Sequence, residues 1–211
     1  MKHYDIAEIQ GWSRIYRANF VNSLSGFKPV SLIATVNKAG QPNLAIFSNI
    51  VHLGADPALV GFINRPKEAA PHTIRNIEET GFYTINHILP AFVEKAHQTS
   101  AKYADEVNEF DAVGLTAVHK DGFSVPYVAE SHVQMALSLS EIIPLSNGTF
   151  LVVGALEHAY VNEQAVASDG FIELSKEGSI VSSGLDAYYS TKPLQRFTYA
   201  KADQPLTEVA F

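Results

Sequence analysis

Val30-Ser-Leu-Ile-Ala-Thr-Val-Asn37 opens the stretch whose reading decides the fold. Its apolar and β-branched residues suit a strand that is half or fully buried, because a branched Cβ packs well on a pleated surface. Lys38-Ala-Gly-Gln-Pro42 follows as a turn, with the Gly and Pro that a chain reversal favours. A second strand is expected from Asn43 to about His52, closed by Gly54-Ala-Asp-Pro57, and a third from Ala58 to Ile63. Strands at this spacing predict an antiparallel meander.

Further along, Asn64-Arg-Pro-Lys-Glu-Ala-Ala-Pro71 breaks the strand pattern, and His72 to Thr80 reads as a short helix stopped by Gly81. Phe82 to His87 returns to strand. Pro90 to Thr99 is expected as a second short helix, and the polar loop from Ser100 to Asn108 has a length often tied to function. Val133–Ile143 and Thr149–Asn162 are the longest late strands, and Asn147-Gly148 between them predicts an antiparallel hairpin. Asn147-Gly148-Thr149 also fits the glycosylation pattern, but without a secretory signal the turn is the better reading. Many strands with few short helices predict a mainly β (α+β) fold, a barrel with short flanking helices.

Nothing along the 211 residues resembles a linker, so residues 1–211 are expected to form one domain. Apolar residues make up 46% and charged residues 18%, with 12 Phe and 9 Tyr, which is the profile of a folded chain with much aromatic surface to bury. A net charge of −7 leaves no cationic excess to neutralise phosphates, and no basic stripe is visible, so no nucleic acid partner is expected. The first 25 residues mix Lys2, Asp5, Glu8, Arg14 and Arg17 with scattered apolar positions, which is not a membrane span or a signal peptide. The expectation is a soluble cytoplasmic protein with no membrane association.

There is no cysteine, which excludes disulfides, thiolate nucleophiles and sulfur-based zinc sites. Redox chemistry would therefore have to come from a cofactor. No G-x-G-x-x-G follows a strand, and neither a Walker-type loop nor a G-x-S-x-G elbow is present, so a nicotinamide could bind only transiently. The eight histidines form no H-x-x-x-H or H-E-x-x-H pattern, and His52, His119 and His132 have no metal-binding neighbours, so no metal site is expected.

Two segments could carry a ligand. Arg65-Pro-Lys67 with Pro71-His72-Thr73 combines cations, a hydroxyl and the free amides at a helix start, a combination that suits a phosphate monoester. Arg65 can grip such a group with two parallel hydrogen bonds, Thr73 can donate its hydroxyl, and Arg75 adds positive field. The same residues read equally as ordinary helix capping with solvated charge. Phe47-Ser48-Asn49 and Asn64 would lie together if their strands pair, and could read the edge of a flat heterocycle. Hydroxyl and amide groups that merely satisfy backbone or face solvent account for them as well.

A wider set of matches covers almost the whole chain. It runs from Asn22-Ser-Leu-Ser-Gly-Phe-Lys-Pro-Val30 through Asn43-Leu-Ala-Ile-Phe-Ser-Asn49 to His52-Leu-Gly-Ala-Asp-Pro-Ala-Leu-Val-Gly-Phe62 and Arg65-Pro66. Further blocks are His72-Thr73, Asn76-Ile77, Thr84-Ile-Asn-His87, Lys95-Ala-His-Gln-Thr-Ser-Ala-Lys-Tyr103, Glu109-Phe110, Gly184-Leu-Asp-Ala-Tyr-Tyr189 and Arg196-Phe-Thr-Tyr-Ala200. With these residues the chain resembles the flavin reductase-like family of FMN-binding split β-barrel proteins, of the flavoredoxin and flavoprotein oxygenase-associated type.

The resemblance implies that Phe47, Ser48 and Asn49 line the isoalloxazine and ribityl parts of FMN, with Phe62, Ile63 and Asn64 beside them. It implies that Arg65, His72 and Thr73 surround the phosphate, and that Thr99, Ser100 and Ala101 border the flavin, often across a dimer interface. By the same likeness NADH or NADPH is a transient hydride donor, the electron acceptor is an oxygenase, another redox partner or a free flavin pool, and the protein is a homodimer. Residues 1–25 would then be an N-terminal extension packed on the barrel or on the partner.

Hydride transfer needs ring stacking and placed donors more than an obligatory proton-exchanging side chain, so no catalytic residue is named. His97 reads either as a proton donor or as a helix-end residue that orients the loop after it. Tyr188 and Tyr189 could stack on a planar ring or pack the dimer. His132, after Glu130-Ser131, stands where relatives usually carry proline. Two other readings stay open: an FMN electron carrier reduced by a partner protein, as in flavoredoxins, and a flavin-free dimeric binding scaffold.

Overall fold

The strand expected at Val30–Asn37 is buried on both faces: in the computed structural model, which describes residues 1–69 and 71–211, all six residues of Ser31–Val36 are buried. In chain order, helices α1 (Ile6–Gly11) and α2 (Arg14–Leu24) precede strands β1 (Lys28–Pro29), β2 (Ser31–Val36), β3 (Pro42–Phe47), β4 (Ile50–Ala55) and β5 (Ala58–Asn64). Helix α3 (Pro71–Thr80), strand β6 (Phe82–His87) and helices α4 (Val93–Gln98) and α5 (Glu109–Val113) follow. The rest is β7 (Ala117–Val118), β8 (Tyr127–Val128), β9 (Gln134–Pro144), β10 (Phe150–Tyr160), β11 (Ile180–Ser183), β12 (Ala187–Ser190), β13 (Arg196–Phe197) and β14 (Glu208–Val209).

Seven antiparallel strands form the main sheet in the order β3-β2-β6-β9-β10-β5-β4. Strands β3 and β4 lie at its two opposite edges, yet only Ser48 and Asn49 join them. Three peptide steps reach at most about 11 Å, so the edges must converge at this point and the sheet must curl. The result is a barrel pinned shut at one seam, the split-barrel architecture expected from the resemblance.

That seam corrects one expectation. The strand foreseen from Asn43 to His52 is two strands, and the meander fails between them, although the β2–β3 and β4–β5 hairpins both form. No Gly or Pro marks the break at Ser48-Asn49, so local pattern could not show it. The hairpin at Asn147-Gly148 does form: Gly148 takes φ of 81°, and the Leu145 amide donates to the Thr149 carbonyl at 2.8 Å.

Because β2 is buried on both sides, alternate residues feed two cores. Leu32, Ala34 and Val36 pack with Leu44, Phe92, Ala96 and Phe110, under α4 and α5. Ile33 packs with Phe62, Tyr83, Ile85, Leu137 and Val152, and α3 adds Ile74 and Ile77 to this second core. Helix α3 buries Thr73, Ile74, Asn76 and Ile77, a spacing that places them on one face. Each isoleucine contributes about 1.5–3 kcal/mol by leaving water. Gly81, at φ of 79°, ends the helix by donating its amide to the Ile77 carbonyl at 2.8 Å.

Residues 1–25 fold as α1 and α2, in which no residue is buried. Asp5 and Ser13 cap the two helices with their side chains. Tyr4, Trp12, Tyr16 and Phe20 pack edge-to-face on one another, with centroids 4.9–5.4 Å apart, while Ile6, Ile15 and Leu24 stay exposed. No helix among the described residues is long and apolar enough to cross a membrane.

Candidate functional site

The seam gathers one group of candidate residues. Phe47 packs edge-on against Phe62 at 4.9 Å, and Phe62 against Tyr83 at 5.5 Å. The Asn49 side-chain oxygen accepts from the Ile63 amide at 3.2 Å, and Ile50 lies opposite Phe62 in the ladder. Phe62 and Asn64 are fully buried, so their side chains stiffen the seam from within. Phe47, Ser48, Asn49 and Ile63 are partly exposed and are the ones a ligand could reach. The Ser48 hydroxyl and Asn49 Nδ2 have no intramolecular partner among the described residues, which leaves two donors available to a ligand.

A second group lies at the start of α3. His72 Nε2 is 2.5 Å from Asp105 Oδ1, and Arg75 Nη1 is 2.9 Å from Asp105 Oδ2. The hydrogen bond from Arg75, then the charge of His72, holds the Asp105 carboxyl below the usual carboxylate range. Thr73 points inward instead: its hydroxyl oxygen accepts from Asn43 Nδ2 at 3.3 Å. Asn43 also donates to Thr35 at 3.3 Å, and Asn76 Nδ2 donates to the same hydroxyl oxygen at 3.1 Å. Beside this network Glu109, buried and with its carboxyl pushed up by desolvation, accepts the Leu44 amide at 3.0 Å. Its carboxylate thus satisfies a backbone donor on edge strand β3 that has no neighbouring strand.

Arg65 is exposed, and among the described residues no hydrogen bond or ion pair joins it to His72 or Thr73. Asn64 Nδ2 donates to the Arg65 carbonyl at 2.7 Å, which ties Arg65 to the seam. Lys67 turns toward the far end of α3, where it pairs with Glu78 at 2.5 Å. Thr99, Ser100 and Ala101 close α4 by hydrogen bonds to Ala96, His97 and Gln98, and none of them is bonded to the seam. His97 Nδ1 lies 2.6 Å from the Tyr188 hydroxyl, and Tyr189 packs edge-on against Phe27 at 4.8 Å. His132 sits 3.6 Å from the buried Glu177 carboxylate.

Sequence reasoning missed Asp105, Asn43 and Asn76 as parts of the α3 cluster. The polar loop holding Asp105 was visible as a loop of functional length, but nothing local distinguishes Asp105 from the other acids around it. Among the described residues no group of three or more His, Cys, Asp or Glu is placed to hold a metal ion.

The sequence profile of the flavin reductase like domain matches residues 26–173, which take in the seam, the start of α3 and every strand through β10. A Halalkalibacterium halodurans protein of uncharacterised function is 32% identical over 120 residues, 56% of this chain and 57% of that protein, so the chain aligns with little more than half of that relative. A solved candidate flavin reductase with split barrel domain from Shewanella frigidimarina NCIMB 400 superposes with a TM-score of 0.91 at 43% identity, over 95% of this chain and 100% of that one. Nitrilotriacetate monooxygenase component B from Bacillus cereus has the same fold, with a TM-score of 0.80 at 21% identity over 92% and 97% of the two chains. The profile covers well over half of the chain: the chain belongs to the flavin reductase like domain family.

Proposed function

We propose that this chain is an FMN-binding oxidoreductase, a homodimer that moves hydride from NADH or NADPH to flavin and passes the electrons to a partner. The observation that carries the reading is the seam, where the two sheet edges meet and present Ser48 and Asn49 as spare donors beside Phe47. Bound flavin would supply the hydride-accepting ring, chemistry that a chain without cysteine or a metal-binding His pattern lacks in its own side chains.

Tested against the residues present, FMN fits at the heterocycle end. Ser48 Oγ and Asn49 Nδ2 can donate to ring carbonyl or nitrogen acceptors, and the buried Phe62–Tyr83 packing holds the strand ends in place. Ile63 completes the wall with Asn64 buried behind it, and Arg65, exposed next to them, is free to reach an anionic tail. Arg75, the His72 imidazole and the first amides of α3 make a second anion-facing point. Thr99, Ser100 and Ala101 would reach flavin from the partner subunit. The exposed outer faces of α1 and α2, with Ile6, Ile15 and Leu24, offer apolar surface for that pairing. The fold shared with a monooxygenase component supports an oxygenase as acceptor, and the absence of a fixed dinucleotide motif supports transient nicotinamide binding in a cytoplasmic, single-domain protein.

The test is the visible spectrum of purified protein after adding FMN and removing the excess, followed anaerobically as NADH and NADPH are introduced separately. Retained flavin absorbance that bleaches rapidly is the expected result. Absorbance that persists would replace the reductase by an electron carrier reduced by another protein. A colourless protein that ignores FMN would leave a binding scaffold. Arg65→Ala should weaken FMN binding by about 1.5–3 kcal/mol, the range for a lost hydrogen bond to a charged group, without lowering the melting temperature. Unchanged affinity in a fluorescence titration would remove Arg65 from the site.

A further inference from the structure

The two basic side chains at the start of α3 are both turned onto one carboxylate. Each Asp105 oxygen meets a different basic side chain, His72 at 2.5 Å and Arg75 at 2.9 Å, which is the way two oxygens of a bound phosphate would be held. The Asp105 side chain is 62% exposed and sits in the loop that follows α4, so solvent screens the contact and little energy holds it closed. A phosphate of nearly twice the charge can displace it.

A second observation points to an anion in the same cleft. Asn76 is 2% exposed and shares the cleft lining with His72, Arg75 and Asp105, yet its Oδ1 has no hydrogen-bond partner among the described residues. A half-turn of that amide lets the Thr35 hydroxyl donate to Oδ1, while Thr35 still accepts from Asn43. Nδ2 then becomes a buried donor without a partner among the described residues, on a residue that lines the cleft. Arg75, the His72 imidazole, a buried amide donor and the helix amides would then all serve one anion.

We propose that Asp105 is an internal stand-in for the phosphate end of the flavin, occupying its partners His72 and Arg75 when that end is absent and thereby keeping FMN exchangeable. The inference rests on the flavin reading above and adds to it the residue that sets how tightly the phosphate is held. It bears on whether FMN behaves here as a prosthetic group or as a substrate.

Fluorescence titration of the wild-type protein, Asp105→Asn and Asp105→Ser with FMN and with riboflavin tests it, alongside thermal melts with and without inorganic phosphate. Both variants should bind FMN about tenfold more tightly, a gain of about 1.4 kcal/mol, and riboflavin no differently, because riboflavin has no phosphate to compete. Phosphate should raise the melting temperature of the variants more than that of the wild type. Unchanged or weaker FMN binding, with riboflavin still bound, would show that Asp105 orients His72 and Arg75 or is irrelevant to them, and would overturn the proposal while leaving the flavin site standing. If neither flavin binds any of the three proteins, the flavin reading fails and the melts decide: equal phosphate effects overturn the proposal, and a larger effect in the variants retains it for another phosphorylated ligand.

Discussion

Replacing Gly154 by alanine should destabilise the protein by about 3 kcal/mol, the upper range for overpacking a closed core. A Cβ at that position would stand 2.1 Å from the Tyr83 hydroxyl oxygen, 2.8 Å from Cζ and 3.0 Å from Leu137 Cβ. Tyr83 is fully buried and packs edge-on against Phe62. The absence of a side chain on β10 is therefore what lets the phenol lie across the strand. Because Phe62 in turn carries Phe47, displacement of Tyr83 would be felt at the seam, and flavin affinity should fall together with stability. Urea unfolding checks the first effect and titration the second.

Tyr83→Phe should be close to neutral by itself. It removes a hydroxyl that is buried without a partner and whose ionisation burial pushes far up. In the double variant, deleting the oxygen nearest the new methyl should recover part of the Gly154→Ala loss, so the two changes will not add. A loss below about 1 kcal/mol for Gly154→Ala alone would show that this packing account is wrong.

Acidification from pH 6.5 to about 4 should cost the wild-type protein up to about 3 kcal/mol of stability through His87 alone. Burial lowers the His87 pKa to about 4, and the ring nitrogen Nδ1 meets the Ser179 hydroxyl at 2.9 Å. In the unfolded chain the imidazole takes up its proton near pH 6.5; in the folded one it stays neutral until about pH 4. Between these values the unfolded state binds more protons, so stability falls as pH falls, and below about 4 the effect is complete. His87→Asn has no imidazole to protonate, so the wild-type protein should lose this much more than the variant over the window. Parallel stability curves in urea for the two proteins, measured at several pH values, would rule out the assignment. Ile180, which follows Ser179, donates its amide to the Ile88 carbonyl at 3.1 Å, so protonating His87 should also loosen the segment that leads to Tyr188.

Much of the architecture was legible without coordinates because its signals are local. The β-branched run at Val30–Asn37, the Asn147-Gly148 turn, the Gly81 stop and the spacing of Ile74 and Ile77 each depend on neighbours within a few residues. The matching blocks from Asn22 to Arg65 carried the family as well, since they are read as a string. The break at Ser48-Asn49 was not legible, because a strand that changes sheet edge without changing its alternation looks the same as one that continues.

The start of α3 shows the same division. Sequence placed His72, Thr73 and Arg75 at a helix N-terminus, and that is where they are. Side-chain direction was another matter. Thr73 turns inward because a residue beside Ile74 on the buried face of α3 meets Asn43, thirty residues away. Asp105 reaches His72 only because the loop after α4 folds back across the helix start. Arg65 is tied to the seam through the Asn64 amide and makes no hydrogen bond or ion pair with His72 or Thr73 among the described residues.

The amino-acid sequence by itself determined the family, the β-rich class and the absence of any thiol for redox chemistry. Only the tertiary structure decided which candidate residues meet. Periodicity reports on one element at a time, whereas an ion pair or a seam is a contact between elements far apart along the chain, and its geometry exists only once the sheet has closed.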